Sequence, residues 1–336
     1  MKFNPNETGL GERRTEAHKP ELLESYHNSC YNWTPDMEDK ILRVSKSTIN
    51  DYDWCPYQYK MKHIYRLAEA ENEDMIRGTN VHSIVEYFWV NVTPVIPTAL
   101  SLLEEGKSLL AKDTLWEVIP SPPAPDKYQY GEEVVIRKWF DWQWERFVVT
   151  KGENWTPVGN EVSSHATTTI EVDGHEIPIH MRGFIDTVFS DGSGGFILME
   201  LKTGKWREKK TATKMRVEMQ IYRMMLEEGG YTDFLPVTHW AWEFPRGYAN
   251  YGDRAEWEME EVGTRKTQFA PRTAMKKIKA LIRGHLYDLF EPAPFQWPHP
   301  SGDGSTLSNC SYCSFMELCP AWATNEGEEN NENEEE

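Results

Sequence analysis

The segment Phe196-Ile-Leu-Met-Glu-Leu-Lys202 constrains this chain more than any other. Its apolar run reads as a strand buried on both faces, inside a sheet rather than at its rim. Glu200 and Lys202 interrupt it. Two residues apart on a strand, they project from the same face. Charges in such a strand are costly unless they pair or bind a metal. Upstream, Ala166 to Val172 alternates as a strand and Asp173-Gly174 is a hairpin turn signal. Glu176 to Phe189 returns as a strand or pair of strands carrying Asp186, and Asp191 to Gly195 turns again. Asp186 can then face Glu200 from the neighbouring strand. Two carboxylates and an ammonium converge at one sheet edge. Phosphodiester hydrolysis uses this arrangement: carboxylates hold a hard divalent cation, and a lysine orients water and offsets developing negative charge. Taken alone, a Glu-x-Lys on a strand is common and carries little weight.

The remaining pattern is mixed α/β. Ser45 or Ser47 caps a helix running to about Tyr65, which Pro56 kinks or restarts. Met75 to Val90 is helical, with Ile76, Val81, Ile84, Val85 and Phe88 at helical spacing around His82. A short helix near 98–112 lies between Pro-rich stretches, and Gly131 to Val149 forms an aromatic-rich helix. Thr211 to Glu228 is a helix ended by Gly229-Gly230. Val237 to Phe244 is one more strand, and Ala270 to Phe290 a long amphipathic helix. Residues 1–43 read as a mobile arm, 44–322 as one domain with a helical insertion at 91–159, and 323–336 as an acidic disordered tail. His82 alone reads first as a core histidine and only second as a metal ligand. The tryptophans Trp139, Trp142, Trp144, Trp240 and Trp242 read first as core and second as platforms for stacking single-stranded bases.

The net charge is −18. Seven Glu lie in the last twelve residues, so the rest of the chain carries −11. Local charge matters more for a nucleic-acid partner. Seven bases against one acid fall between Lys202 and Arg216 (Lys205, Lys209 and Lys210 among them), and a second basic stretch runs from Arg272 to Arg283. No apolar run approaches the ~20 residues of a membrane span, and no signal peptide is evident, so a cytoplasmic protein is expected. No GxxxxGK[ST] motor signature is present, which leaves any helicase partner to a separate chain.

Of five cysteines, Cys55 and the Cys310-x2-Cys313-x5-Cys319 triplet form a pattern, with Cys30 left as a free thiol. Thiolate sets of this kind hold zinc or an iron–sulfur cluster.

Gly183-x-x-Asp186 followed by Glu200-x-Lys202-Thr203-Gly204 resembles the core motif of RecB-like PD-(D/E)XK nucleases. Arg77-Gly78-Thr79-x-x-His82 resembles their upstream histidine motif. The Ser45 to Tyr59 segment, with Cys55-Pro56, resembles the iron–sulfur members: CRISPR-associated adaptation exonucleases and the AddB type of helicase–nuclease. The resemblance covers 45–90, 160–228 and 305–322. It implies an α/β restriction-endonuclease-like core, with a mixed central sheet flanked by helices and a C-terminal iron–sulfur clip at 305–322. It also implies Mg2+ or Mn2+ held by His82, Asp186, Glu200 and the Leu201 carbonyl, with Lys202 catalytic. Cys55, Cys310, Cys313 and Cys319 would hold a [4Fe–4S] cluster. The family's Gln-x-x-x-Tyr helix pair is irregular here. Matching Tyr222 puts Glu218 at the glutamine position, while matching Gln220 leaves Tyr222 two residues away. Lys205, Lys209, Lys210, Gln220 and Tyr222 are the expected DNA contacts. The function implied is a DNA exonuclease of phage- or prokaryote-like DNA processing, recombination or repair, acting on single-stranded DNA or ends, with a recombination or helicase partner chain possible. The alternative is a catalytically silent iron–sulfur DNA-binding subunit of a replication or recombination assembly.

Overall fold

The computed structural model describes residues 41–69, 73–120, 131–204, 210–246, 256–293, 310, 313–315 and 318–321. The expectations for residues 1–40 and 323–336, and for Cys30, Lys205 and Lys209, lie outside these. In chain order, strand β1 (Leu42–Val44) leads into helices α1 (Lys46–Trp54) and α2 (Pro56–Tyr59), a π turn (Lys60–Ile64) and α3 (Glu73–Asn91). Helices α4 (Ile96–Glu104), α5 (Ser108–Trp116) and α6 (Glu132–Thr150) follow. Then come the hairpin β2 (Gly159–Val172) and β3 (His175–Ser190), β4 (Phe196–Leu201), α7 (Lys210–Gly229), β5 (Val237–Phe244), β6 (Glu256–Glu261) and α8 (Ala270–Tyr287).

Local chemistry sets several boundaries. Ser45 caps α1 with a reciprocal capping box to Thr48, and Pro56 sits in the first turn of α2. Asp173 and Gly174 both have positive φ, at 53° and 86°, the backbone of a two-residue hairpin turn. β2 begins at Gly159, seven residues before the alternation that predicts it. β1 and β6 have no counterpart in the sequence reading. Ile76, placed on the apolar face by periodicity, is 45% exposed, while Val81, Ile84, Val85 and Phe88 are buried.

The sheet is mixed, ordered β1-β3-β4-β5-β6, with β2 paired to β3. β3 and β4 are antiparallel, β4 and β5 parallel through the α7 crossover, and β5 and β6 antiparallel. The chain forms two compact units. One comprises Met1–Glu71, Thr169–His180 and Lys276–Glu336; the other comprises Asn72–Thr168 and Met181–Met275. In the second unit, Met199, Leu201, Phe189 and Ala241 join the apolar face of α3 and the aromatics of α6 in one core. Trp139, Phe140 and Trp155 are fully enclosed there, and Trp240 and Trp242 are buried as well. In the first unit, Tyr59 stacks on Phe290 at 5.8 Å and bonds His285 Nε2 at 2.8 Å.

Candidate active site

The site is built on β4, the Met181–Ser190 part of β3, and the helices α3 and α7, all within the second unit. Thr187 pairs with Met199 across β3 and β4; one residue further, the same register sets Asp186 opposite Glu200. The Leu201 amide donates to Asp186 Oδ2 at 2.8 Å, fixing that carboxylate against β4. Alternation then sorts the charges. Leu201 turns into the aromatic core, and Glu200, 4% exposed, lies on the opposite face. Lys202 follows Glu200 on that face. Its Nζ donates to Glu200 Oε1 and to Glu218 Oε2, each at 2.9 Å.

Two glycines let the helices approach. A Cβ on Gly78 would meet Thr203 Oγ1 at 3.3 Å, so the Arg77-Gly78-Thr79 turn of α3 packs beside the segment after Lys202. A Cβ on Gly183 would meet the flexible end of Met225 at 2.8 Å and Tyr222 Cε1 at 3.1 Å, so any side chain there presses on Tyr222 where α7 crosses β3. These contacts give the spacing in both motifs a packing reason.

His82 Nδ1 reaches to 3.6 Å from Asp186 Oδ2. A third donor joins them that sequence reasoning missed. Donor atoms of His82, Glu161 and Asp186 all lie within 4.8 Å of one another. Glu161 stands near the start of β2 with φ +47°, a left-handed conformation rare for a glutamate in a strand. An imidazole and two carboxylates form a donor set that fits a hard divalent cation. Glu200 stands one strand over, with Oε1 held by Lys202.

α7 resolves the irregular helix motif. Glu218 and Tyr222, four residues apart and so on one helical face, both turn toward the carboxylates. Burial, with the charges of Glu200 and Asp186, drives the Tyr222 phenol far above its ordinary pKa, so it stays neutral. Gln220 is 4% exposed and its Oε1 has no hydrogen-bond partner. Neither Gln220 nor Tyr222, 2% exposed, presents an open surface for gripping DNA. Lys210 opens α7. Of the second basic stretch, Lys277 pairs with Asp53, and Arg283 makes a bidentate pair with Asp173 at 2.7 and 2.8 Å.

Beneath the site, the Lys202 amide donates to the Glu243 carbonyl at 2.8 Å. The Glu243 carboxylate points into the core. It accepts from Trp139 Nε1 at 2.9 Å and Gln143 Nε2 at 2.5 Å, with Arg146 Nη1 at 4.0 Å. Burial raises its pKa, and burial lowers that of Arg146. This polar network braces β5 beside β4.

In the first unit, Cys55 Sγ accepts from the Ala293 amide at 3.5 Å, and Tyr57 Oη donates to the Leu318 carbonyl at 3.0 Å. Burial pushes the Cys313 thiol up to about 11, with further upward influence from Cys55, Cys319 and Cys310.

Residues 43–320 match the family model of the PD-(D/E)XK nuclease superfamily, and the chain belongs to that superfamily. Among solved structures, the chain is similar to the protein SSO0001 at 16% identity, with TM-score 0.32, covering 74% of this chain and 97% of that one. It is also similar to a protein of Eubacterium rectale described as a "putative exonuclease", at 14% identity and TM-score 0.39, covering 79% and 89%. No curated protein matches the sequence. Among the described residues, no helix is long and apolar enough to cross a membrane.

Proposed function

We propose that this chain is a metal-dependent deoxyribonuclease that works as an exonuclease on single-stranded DNA or single-stranded ends in DNA processing, recombination or repair. The supporting observation is the meeting of His82, Glu161 and Asp186 donors within 4.8 Å, beside a lysine held at 2.9 Å by Glu200. His82, Asp186, Glu200 and the Leu201 carbonyl would hold Mg2+ or Mn2+, with Glu161 as an added carboxylate. Such a cation, when bound, supplies Lewis acidity and makes water nucleophilic at neutral pH. Lys202 orients the attacking water and offsets charge on the phosphate. Glu218 and Glu200 hold the ammonium in place. Lys205 and Lys209, with Lys210 at the start of α7, neutralise DNA phosphates, so binding weakens as salt rises.

Cys55, Cys310, Cys313 and Cys319 are assigned to a structural [4Fe–4S] cluster. The clustering of the thiols and the chain separation of Cys55 from the triplet support this. A link closing so long a loop removes roughly 5 kcal/mol of unfolded-state freedom, by analogy with a disulfide.

The test uses anaerobically purified protein on linear and circular single-stranded DNA with Mg2+ or Mn2+, alongside iron and sulfide analysis. Degradation of linear DNA alone supports the exonuclease. Cutting of circles replaces it with an endonuclease, and DNA binding without cleavage points to the silent subunit. Zinc in place of iron removes the cluster.

A further inference from the structure

We propose that a cleft between α7, β5 and β6 takes the unpaired base next to the scissile phosphodiester and favours the amine-bearing bases adenine, cytosine and guanine over thymine. The inference rests on the nuclease reading and specifies its substrate. The cleft has a volume of about 410 Å3, near the lower end of the roughly 300–1,000 Å3 of small-ligand pockets. That suits a single nucleotide and excludes a duplex.

Its position follows from strand register. Glu200 is paired with Trp242 on β5, and Trp242 with Glu258 on β6. Registered neighbours project from one face, so Asp186, Glu200, Trp242 and Glu258 form a row across the sheet. Trp242 and Glu258 line the cleft. Strands about 4.8 Å apart put Glu258 roughly 10 Å from Glu200. Glu200 and Trp242 are buried along this row, 4% and 2% exposed, so the nucleotide next to a phosphate at the carboxylates would reach the cleft with its base end at Glu258.

The lining argues for a base and against a phosphate. Glu258 and Glu260 both border the cleft. Arg216, its inner cation, is already held by Glu260 through two bonds of 2.6 Å. Lys266 sits at the rim with its side chain 69% exposed, 3.9 Å from Glu260. A phosphate inside would face two carboxylates, whereas Lys266 can meet the backbone outside. Carboxylates accept from exocyclic amines; adenine, cytosine and guanine each carry one and thymine carries none. A base enters a cleft of this size only when unstacked and unpaired.

The test is limited digestion of a random-sequence single-stranded DNA pool with Mn2+, with the initial cuts sequenced. Full-length wild type is compared with Thr213→Trp, which fills the cleft from an exposed position of α7, and with Glu258→Gln. The expected result is about fivefold depletion of thymine at one position flanking the cut. Thr213→Trp should flatten it without lowering the melting temperature, and Glu258→Gln should weaken it. Should Thr213→Trp fail to fold, Glu258→Gln decides. Cutting without base bias, or with the same bias in the variants, overturns the inference and leaves the nuclease standing. No cutting by any form removes the nuclease reading, and this inference with it.

Discussion

Glu218 Oε2 lies 2.9 Å from Lys202 Nζ, tying the lysine at the end of β4 to the helix that follows it in sequence. Glu200 holds the same ammonium from the other side. The lysine is therefore set by two carboxylates, only one of which belongs to the Glu-x-Lys pair. Glu218→Ala should lower kcat about tenfold to hundredfold with little change in KM, the cost of a misplaced catalytic group. Glu218→Gln, which keeps an acceptor, should lose less. Gln220→Ala should leave kcat near wild type. Steady-state cleavage of labelled oligonucleotides separates the three.

Gly183 is the contact point of β3 with α7. Gly183→Val should destabilise by about 1–3 kcal/mol through overpacking against Met225 and Tyr222. It should also depress activity by displacing Tyr222 from the carboxylates. Urea unfolding followed by circular dichroism measures the first effect, and a cleavage assay the second.

Much of this arrangement is legible in the sequence because its determinants are local. Asp173-Gly174 announces the hairpin, alternation and turn signals announce β3 and β4, and Glu200-x-Lys202 places two charges on one face. Glu161 is not legible. Its donor reaches Asp186 through a left-handed backbone at the start of β2, and nothing in Asn160-Glu161-Val162 signals that. β6 escapes because Glu-Trp-Glu-Met-Glu-Glu is an acidic run with two apolar residues. Glu243 meets Trp139 across 104 residues of sequence, a pairing only the tertiary fold creates. Ile76 errs the other way: periodicity puts it on the apolar face, yet among the described residues it stands 45% exposed.

His285 gives the first unit a pH dependence. Burial lowers its pKa to about 4, helped by nearby His63, and its ring nitrogen bonds Tyr59. The unfolded chain, with an ordinary histidine near 6.5, binds more protons than the folded one between the two values. Stability contributed by neutral His285 is thus complete above about 6.5 and is lost as pH falls toward 4, by up to about 3 kcal/mol. Melting temperatures from pH 7.5 to 4.5 should decline in wild type and decline less steeply in His285→Gln.

Cys313→Ser should lose iron and melt well below wild type, as expected for a thiol buried among three others. The Asp186, Glu200 and Lys202 variants should keep full iron content. Iron analysis and the visible absorbance of anaerobically purified proteins check this. Equal iron in Cys313→Ser and wild type would contradict the assignment.

Asp186, Glu200 and Lys202 are proposed to perform metal-dependent DNA cleavage. The most direct test is the rate of hydrolysis of end-labelled single-stranded DNA in Mg2+ or Mn2+, in EDTA, and with Lys202→Ala at equal iron content. Cleavage is expected with either metal, none in EDTA, and a loss of at least about a hundredfold in the variant. Cleavage that persists in EDTA, or at wild-type rate without the lysine, would contradict the proposal.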